Sequence, residues 1–462
     1  HCRAYPSLFQ DPGPDQVEAA QLLNHVFTND EIECAIRKLQ RHKSCGLDGV
    51  PAEFIREAYR VHNVNGKCVR EYLCAPAITS LFNCVLKNGY PSQAWGVSAL
   101  VPVPKPKGRS DSLDDHRGIA VSTVLAKLFS LVMLRRLDQW AEKRGLRARG
   151  QAGFREGRGT ADNLFLLRHM IDATATRRAP LYCAFIDFSK AYDRVDRQLL
   201  YACLRSHGLH GFALEAVMGM YEDVRMQVRI GGELAEQFPS EVGVRQGDPL
   251  SPLLFGLVID RLEGFIKEKC GESGVWMAEQ IIHDLLYADD VALPANTPEA
   301  LQSMLDCLHE FCIANSMFVN MTKSAVVIFN HRCATDKRSG PNRRPQFNYN
   351  DQTLEVRDSY VYLGLEFFDH KSVASSAPGK VLEKARKTLF AMYGRCSALG
   401  IHNASLQCQL FDSLVASVAS YGCEVWAPDL VAGLVEKRRS LCDGVLEERL
   451  HRPFLRIVLG VC

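Results

Sequence analysis

Aspartates stand at the ends of short apolar runs, and this arrangement most constrains how the chain can fold. Residues 182–186 (Tyr-Cys-Ala-Phe-Ile) lead into Asp187, and Asp289–Asp290 separate the apolar residues 285–287 from residues 291–293. Apolar runs of this length, bounded by turn residues, predict buried strands. If these strands are neighbours in one sheet, the carboxylates converge, and a bound cation would relieve the repulsion between them.

Converging carboxylates suit one kind of chemistry in particular. Phosphoryl transfer onto a hydroxyl group uses two divalent cations roughly 3.5–4 Å apart, and Mg²⁺ prefers a few carboxylates together with substrate phosphates as ligands. Rigid strand ends supply the support that such a site needs. Acidic turns are also commonly just solvated, and the run Tyr287–Asp290 is short enough to arise by chance. The surrounding sequence must therefore decide between the two interpretations.

Composition excludes some classes of protein but does not by itself identify the class. The chain has 462 residues, 47% of them hydrophobic, and its 55 basic and 53 acidic residues leave a net charge of +2. Any affinity for nucleic acid therefore depends on where charge lies. The 17 cysteines contain no C-x-x-C pair, which favours reduced thiols in an intracellular protein over a zinc site. No apolar run reaches the roughly 18 residues of a membrane helix, and because the sequence starts at His1 we expect a piece of a longer protein.

Three longer blocks surround the aspartates in a fixed order. Residues 185–195 (Phe-Ile-Asp-Phe-Ser-Lys-Ala-Tyr-Asp-Arg-Val) resemble motif A of reverse transcriptases. Residues 243–252 (Gly-Val-Arg-Gln-Gly-Asp-Pro-Leu-Ser-Pro) resemble motif B, and residues 286–290 (Leu-Tyr-Ala-Asp-Asp) resemble motif C. Because each block is long and their order is constrained, the combined pattern is far more specific than any one of them.

Shorter matches extend the resemblance outward. Residues 320–324 look like motif D and residues 362–364 look like motif E, while the blocks at 43–54, 101–120 and 151–155 are similar to the fingers of LINE-type enzymes. The stretch from Phe27 to Phe368 thus resembles the polymerase core of a reverse transcriptase from a non-LTR (LINE-type) retrotransposon.

The resemblance implies an α+β fold, that of a right-hand polymerase with fingers, a palm and a helical thumb. The palm is expected to be an antiparallel sheet backed by helices. In sequence order we expect an N-terminal flank at 1–27, fingers at 28–175, a palm at 176–330 with an inserted segment at 205–240, a basic surface loop at 331–350, a primer-grip hairpin at 351–372, and a helical thumb with a truncated C-terminal extension at 373–462.

Local patterns predict several elements of this fold. The apolar residues from Pro249 to Ile266 predict one long helix, with Asp248 as its cap and Pro249 in its first position. Residues 226–230 and 241–244 predict strands around the Gly231–Gly232 turn. The prolines within residues 98–107 exclude a helix and favour the edge of a sheet.

By resemblance, Asp187 and Asp289 bind the metal ions and Asp290 supports them more loosely. The backbone carbonyl of Phe188 is a further candidate metal ligand. The cofactor implied is Mg²⁺, as two ions, with Mn²⁺ as the alternative. Catalysis of this kind consists mainly of positioning and charge neutralisation, so losing one carboxylate should remove most of the rate.

Four further residues resemble the nucleotide-binding positions of the family. Tyr192 matches the bulky residue that packs under the incoming sugar, and Gln246 matches the motif B residue that touches the nucleotide. Lys105 and Arg117 match finger cations that grip the triphosphate. The family usually has proline after this arginine, and Gly118 here predicts a looser backbone. A core aromatic at position 192 and a solvated basic hairpin at 105–117 are the structural alternatives.

The remaining assignments concern the proton donor and the nucleic acid. Lys323 resembles the motif D lysine that protonates pyrophosphate, with an ordinary surface lysine as the alternative. Leu363 and Gly364 resemble the primer grip. Basic clusters at 144–158 and at 380–387 either line a nucleic-acid channel or are solvated faces, and the basic residues at 332–344 are open between template contact and no role.

The function implied is an RNA-directed DNA polymerase that copies retrotransposon RNA from a primer 3′-hydroxyl. Its partners would be an RNA template, a DNA primer and deoxynucleoside triphosphates, with no membrane, and it would act inside the cell and in the nucleus at integration. Alternatives within enzymes are a group II intron maturase and a viral RNA polymerase, although the latter usually has Gly where Ala288 stands. The alternative from another class is an inactive or domesticated fragment that binds nucleic acid without polymerising.

Overall fold

A computed structural model describes residues 12–105, 112, 115–331, 345–370, 373–436 and 450–459. These residues form two compact units, each assembled from three separate segments of the chain. The first unit takes the described residues of segments 1–151, 188–269 and 307–319, and the second takes those of segments 152–187, 270–306 and 320–462.

The helices of the described residues are numbered in chain order. They are α1 (Pro14–Gln21), α2 (Asn29–Lys38), α3 (Glu53–Arg56), α4 (Ala75–Asn88), α5 (Gln93–Gly96), α6 (Val124–Lys143), α7 (Thr160–Thr176), α8 (Arg197–Ser206), α9 (Gly211–Gly219), α10 (Ser251–Ile259), α11 (Arg261–Cys270), α12 (Pro298–Ala314), α13 (Val373–Ala398), α14 (Ala404–Leu410), α15 (Ser417–Ala419), α16 (Cys423–Glu436) and α17 (Arg452–Leu459).

The strands are numbered in the same way. They are β1 (Tyr59–Val64), β2 (Lys67–Tyr72), β3 (Val97–Pro104), β4 (His116–Val121), β5 (Leu181–Ile186), β6 (Arg225–Ile230), β7 (Glu233–Pro239), β8 (Val275–Met277), β9 (Gln280–Ile282), β10 (Leu285–Tyr287), β11 (Asp290–Ala295), β12 (Ala325–Phe329), β13 (Phe347–Tyr349), β14 (Gln352–Arg357), β15 (Ser359–Tyr362) and β16 (Leu365–Phe368).

The first unit contains a four-stranded sheet in the order β4-β3-β6-β7. The prediction of a sheet edge for residues 98–107 is only half right, because β3 is an interior strand. Only Val97–Leu100 of β3 pair with β6. Pro102 and Pro104 lie beyond these residues, so their lack of a backbone N–H costs no hydrogen bond to β6. Helix α2 begins with a capping box, in which the side chains of Thr28 and Glu31 each accept from the other's backbone amide.

The second unit contains a six-stranded sheet in the order β10-β11-β5-β12-β14-β13. Helices α7, α13 and α16 share a hydrophobic core with β5, which confirms an α+β sheet backed by helices. The strands within the predicted palm, β10, β11, β5 and β12, pair antiparallel as expected, whereas β14, which lies beyond residue 330, pairs parallel with β12. A tight turn forces antiparallel pairing, whereas the connection at 330–351 is long enough to return the chain in the same direction.

Three predicted elements differ from the structure. The helix expected from Pro249 begins at Ser251, and its regular structure is divided at Asp260. Asp248 is not the N-cap of this helix, and Pro249 is not its first residue. The Asp248 carboxylate accepts hydrogen bonds from the backbone amide of Leu250 and the hydroxyl of Ser130, ahead of the first helical residue. The strand expected at 241–244 is absent from that part of the described chain, and β6 forms its hairpin with β7 instead.

The linear division into fingers, palm and thumb stays a prediction, although some elements cross its boundaries. Strands β6 and β7, from the segment expected as a palm insertion, belong to the β3–β4 sheet of the first unit. Strand β13 falls within the expected surface loop at 331–350, whose residues 332–344 lie outside the described ones. Among the described residues, no helix is both long and apolar enough to cross a membrane.

Candidate active site

Strand register brings the three aspartates together in the second unit. Asp187 directly follows β5, and β11 pairs antiparallel with β5 so that Val291 lies opposite Ile186. The next position along each strand therefore places Asp290 opposite Asp187. Asp289 lies in the turn that joins β10 to β11, where Ala288 has a φ of 57° and Tyr287 pairs with Asp290. The predicted convergence of the carboxylates thus follows from pairing alone.

The charge in this cluster is mostly negative. Asp290 is at an exposed edge, yet nearby protein atoms strip much of its hydration, and this desolvation raises its pKa. The negative charges of Asp289 and Asp187 add to that effect, whereas Lys323 opposes it, and the pKa of Asp290 reaches about 6. The ammonium of Lys323 lies 3.6 Å from Oδ2 of Asp187, so the predicted proton donor is also the cluster's counter-charge.

Two residues of motif D hold the backbone of Asp187. Its amide donates to Oγ of Ser324 at 3.0 Å, and its carbonyl accepts from the amide of Asn320 at 2.7 Å. Ser324 is completely buried. Sequence analysis assigned these residues no role beyond membership of motif D, because a serine hydroxyl bonded to a distant backbone amide leaves no local pattern.

Motif C is held by residues far from it in sequence. The carbonyl of Leu286, on β10, accepts from the side-chain amide of Asn163 at 2.8 Å and from the backbone amide of Ala152 at 2.9 Å. The hydroxyl of Tyr362 donates to the carbonyl of Leu285 at 3.3 Å. Asn163 and Tyr362 are both 2% exposed. Strand β10 therefore has a fixed position even though it is an edge strand of only three residues.

Tyr360 is a further neighbour of the acidic cluster that the sequence reading missed. Its ring stacks on that of Phe185 with centroids 4.5 Å apart, and its hydroxyl donates to the carbonyl of Lys323 at 3.1 Å. Desolvation, together with the charges of Asp187 and Asp290, raises the pKa of Tyr360 to about 12. A neutral tyrosine thus supports the lysine beside the carboxylates.

The donor set fits a hard divalent cation. Nowhere in the described ranges do three or more His, Cys, Asp or Glu side chains form a complete ligand group for a metal ion. Mg²⁺ does not require one, because it commonly keeps water and substrate phosphates beside one or two carboxylates. The aspartate oxygens of Asp187, Asp289 and Asp290 are ligands of the right chemistry, and their mutual repulsion would fall on binding a cation.

The predicted nucleotide-binding residues of motifs A and B lie in the first unit. The ring of Tyr192 stacks on Phe255 with centroids 4.9 Å apart, and its carbonyl accepts from the amide of Val244. The side-chain amide of Gln246 donates to Asp193 at 2.9 Å, while its carbonyl accepts from Ala120. Motif B is therefore tied to motif A and to β4, and the nucleotide roles of Tyr192 and Gln246 stay predictions.

Glycine and buried arginine shape the motif B loop. A Cβ on Gly243 would meet the carbonyl oxygen of Asp193 at 2.6 Å, and both Gly243 and Gly247 have positive φ angles. Arg197 donates to the carbonyls of Gly243, Tyr221 and Val242. Arg245 donates in the same way to the carbonyls of Trp95 and Met220. These arginines satisfy loop carbonyls that have no strand to bond to.

The fingers residues lie on β3 and β4. Arg117 is exposed on β4 opposite Val103, and the amide of Lys105 donates to the carbonyl of Asp115. Gly118 does not loosen the backbone as predicted, because it pairs with Pro102 inside the strand ladder. A Cβ at Gly118 would also lie 2.9 Å from Leu100, so close packing explains the glycine. The phosphate-binding roles stay predictions.

One arginine of the predicted basic surfaces is unavailable to nucleic acid, whereas Lys380 and Lys387 stay exposed although each has an acidic partner. Arg147 is buried and its Nε lies 2.6 Å from Asp260, so it cannot line a channel. Lys380 pairs with Glu366, and Lys387 pairs with Glu383. The residues at 332–344 lie outside the described ones.

The carbonyl of Phe188 was predicted to bind metal. Phe188 is 5% exposed and forms an isolated antiparallel bridge with Val319. Beside that bridge, within the first unit, the amide of Ser189 donates to the carbonyl of Phe318 at 2.8 Å, a hydrogen bond that does not use the carbonyl of Phe188. Its assignment stays a prediction.

Residues 103–367, more than half of the chain, match the family model of reverse transcriptase (RNA-dependent DNA polymerase). The chain belongs to this family, and the predicted enzyme class is confirmed. It is 31% identical to the Pol polyprotein of the R2 element of Nasonia vitripennis over 49% of this chain and 22% of that protein. It is 23% identical to the RNA-directed DNA polymerase of mobile element jockey from Drosophila melanogaster, over 75% of this chain and 37% of that protein.

These relatives confirm the resemblance to non-LTR retrotransposon enzymes. The chain spans about a fifth of the length of the first curated relatives it matches, the R2 polyproteins of Nasonia vitripennis and Drosophila melanogaster, which it covers over 22% and 20%. Among solved structures, apo telomerase of Candida Tropicalis is similar with a TM-score of 0.41 and 14% identity, over 70% of this chain and 64% of that one.

Proposed function

We propose that this chain is the catalytic core of an RNA-directed DNA polymerase that copies retrotransposon RNA by extending a DNA primer. One observation carries the proposal: three aspartates from motifs A and C lie at adjoining strand ends, where desolvation, together with the negative charges of Asp289 and Asp187, raises the pKa of Asp290 to about 6. A fold gains nothing from such a cluster unless cations neutralise it.

Asp187 and Asp289 would hold two Mg²⁺ ions, or Mn²⁺ in their place, and Asp290 would add negative charge beside them. When bound, the ions would supply activation of the attacking 3′-hydroxyl and neutralisation of the leaving pyrophosphate. Ser324 and Asn320 fix the backbone of Asp187. Lys323 stands beside Asp187 and would give its proton to pyrophosphate as that group leaves.

The first unit supplies residues for the incoming deoxynucleoside triphosphate. Arg117 and Lys105 would bind its phosphates, Gln246 would contact it beside motif B, and the half-buried ring of Tyr192 would exclude a 2′-hydroxyl. The Phe255 ring limits the freedom of Tyr192, which suits a steric filter. We further propose an intracellular protein that acts in the nucleus at integration, on the strength of the family alone.

Primer extension on an RNA template tests the proposal. The purified chain should incorporate deoxynucleotides only when Mg²⁺ or Mn²⁺ is present, and Asp289→Asn should lower the rate by at least about 10²–10³-fold, as loss of a main electrostatic stabiliser does. Asp351→Asn, at an exposed turn of the same unit, is the matched control and should retain the parent rate.

Each outcome has a distinct meaning. An inactive parent that still binds primer and template would favour the alternative of a nucleic-acid-binding relic. Equal activity in the parent and in Asp289→Asn would place the metal site elsewhere. Incorporation without a divalent cation would exclude the proposed mechanism.

A further inference from the structure

The turn expected to support the primer end has an unusual backbone. It joins β15 to β16 through two residues, Leu363 and Gly364, closed by the pairing of Tyr362 with Leu365. Both turn residues have positive φ angles, 45° and 83°. Turns of this form favour Asn-Gly because most side chains avoid that region. A leucine there requires support from outside the turn.

Tyr421 supplies that support from within the second unit. Its hydroxyl donates to the carbonyl oxygen of Leu363 at 2.5 Å and lies 3.4 Å from Oγ1 of Thr160, at the start of α7. The edge of its ring lies against Gly364, where an added Cβ would be 3.2 Å from the ring. Tyr421 therefore both fixes the turn and explains why its second residue is glycine.

Tyr421 is itself held in place. The indole N–H of Trp426 donates to its carbonyl at 2.9 Å, and Trp426 is 3% exposed within the core that contains Tyr362 and Leu365. Gly422, with a φ of 67°, packs so closely on Leu365 that a Cβ would lie 2.8 Å from it. The segment at 421–426 is therefore closely packed against the β15–β16 hairpin.

We propose that Tyr421 is a positioning residue for the primer terminus, an assignment that rests on the proposed polymerase function and on Leu363 and Gly364 being its primer grip. Tyr421 acts through the Leu363 carbonyl and need not touch the primer. Tyr421 lies two residues before α16, in the segment expected to be the thumb. Its hydrogen bond to Leu363 therefore connects that segment to the predicted primer grip.

Tyr421→Phe removes only the hydroxyl and keeps the ring, so the fold is preserved. Binding is measured without nucleotide, by fluorescence anisotropy, on an RNA–DNA duplex with a recessed primer 3′ end and on the same duplex made blunt. We expect roughly three- to tenfold weaker binding of the recessed end alone, as for one lost hydrogen bond. Hydrogen exchange at Gly364 and Leu365 should accelerate.

Tyr393→Phe, at an exposed tyrosine on α13, is the matched control and should change neither quantity. Unchanged binding and exchange in Tyr421→Phe would overturn the proposal, and so would equal weakening on recessed and blunt duplexes. Primer extension by the parent, run alongside, reports separately on the polymerase function. An inactive parent would contradict the proposed polymerase function. The binding and exchange data would still decide whether Tyr421 positions the turn.

Discussion

Two clusters of charge in this molecule are built in opposite ways. In the first unit, Arg147 and Asp260 are buried with side chains 1% and 0% exposed, and their Nε and Oδ2 atoms lie 2.6 Å apart. Gln151 donates to the other oxygen of Asp260 at 3.0 Å. In the second unit, Asp187, Asp289 and Asp290 lie together with Lys323 as the nearby positive charge, and desolvation, aided by repulsion from Asp289 and Asp187, raises the pKa of Asp290.

The difference separates charge that serves the fold from charge that serves chemistry. At Asp260 the opposite charge of Arg147 and the hydrogen bonds offset only part of the cost of burial, which still raises the pKa of Asp260, so the carboxylate at the break between α10 and α11 depends on keeping its partner. At the strand ends, like charges are forced together by register and held there by backbone bonds. That arrangement makes sense if a ligand completes it.

The largest expected effect comes from breaking the first cluster. Arg147→Met should lower the free energy of unfolding by about 3–5 kcal/mol, because it leaves Asp260 buried and unpaired. Arg149→Met, at an exposed arginine two residues away, is the control and should change it by less than about 0.5 kcal/mol. Chemical denaturation measures both.

The double variant Arg147→Met with Asp260→Leu sharpens the test. Replacing the whole pair by apolar side chains removes the unpaired charge and should recover most of the lost stability. A cost below about 1 kcal/mol for the single variant, or no recovery in the double one, would show that the pair is not what stabilises this region.

Removing a charge from the second cluster should change stability by less, and it should stabilise the protein rather than destabilise it. Because the pKa of Asp290 is raised from 3.8 to about 6, its contribution to stability is complete below pH 3.8 and is lost as pH rises through about 6. Asp290→Asn should therefore raise the melting temperature at pH 8, without metal, by on the order of 1–2 °C. The gain should vanish near pH 4.

Asp351→Asn serves again as the control, since it removes one charge from an exposed turn of the same unit. A gain for Asp290→Asn that is the same at pH 8 and pH 4 would mean that the effect does not come from ionisation. A loss of stability at pH 8 would mean that Asp290 is favourably paired, and the contrast between the two clusters would fail.

Sequence patterns predicted the parts of the site that depend on local chemistry. Apolar runs ending in Asp187 and at Asp289–Asp290 predicted strands and their convergence, because strand periodicity and a tight turn are both local signals. The primer-grip hairpin was predicted at 351–372 from the family resemblance, and β15 and β16 pair within it. That β5 and β11 are neighbours was a condition of the prediction, which the structure meets.

Partners distant in sequence were not predictable in this way. Arg147 looked like part of a basic surface because Asp260 is remote from it in the chain. Ser324, Asn163 and Tyr421 act through single hydrogen bonds to backbone carbonyls or amides, which leave no periodic pattern. Gly118 was misread for the same reason, since its tight contact is with Leu100 on another strand.

The central claim is that the acidic cluster of the second unit is a divalent-cation site, and thermal unfolding with and without Mn²⁺ tests it most directly. A ligand that binds only the folded state stabilises it by about 2.7 kcal/mol at a hundredfold excess over its dissociation constant. The parent chain should melt at a higher temperature when Mn²⁺ is added, and Asp289→Asn should lose most of that increase. Equal stabilisation of both proteins by Mn²⁺ would contradict the claim.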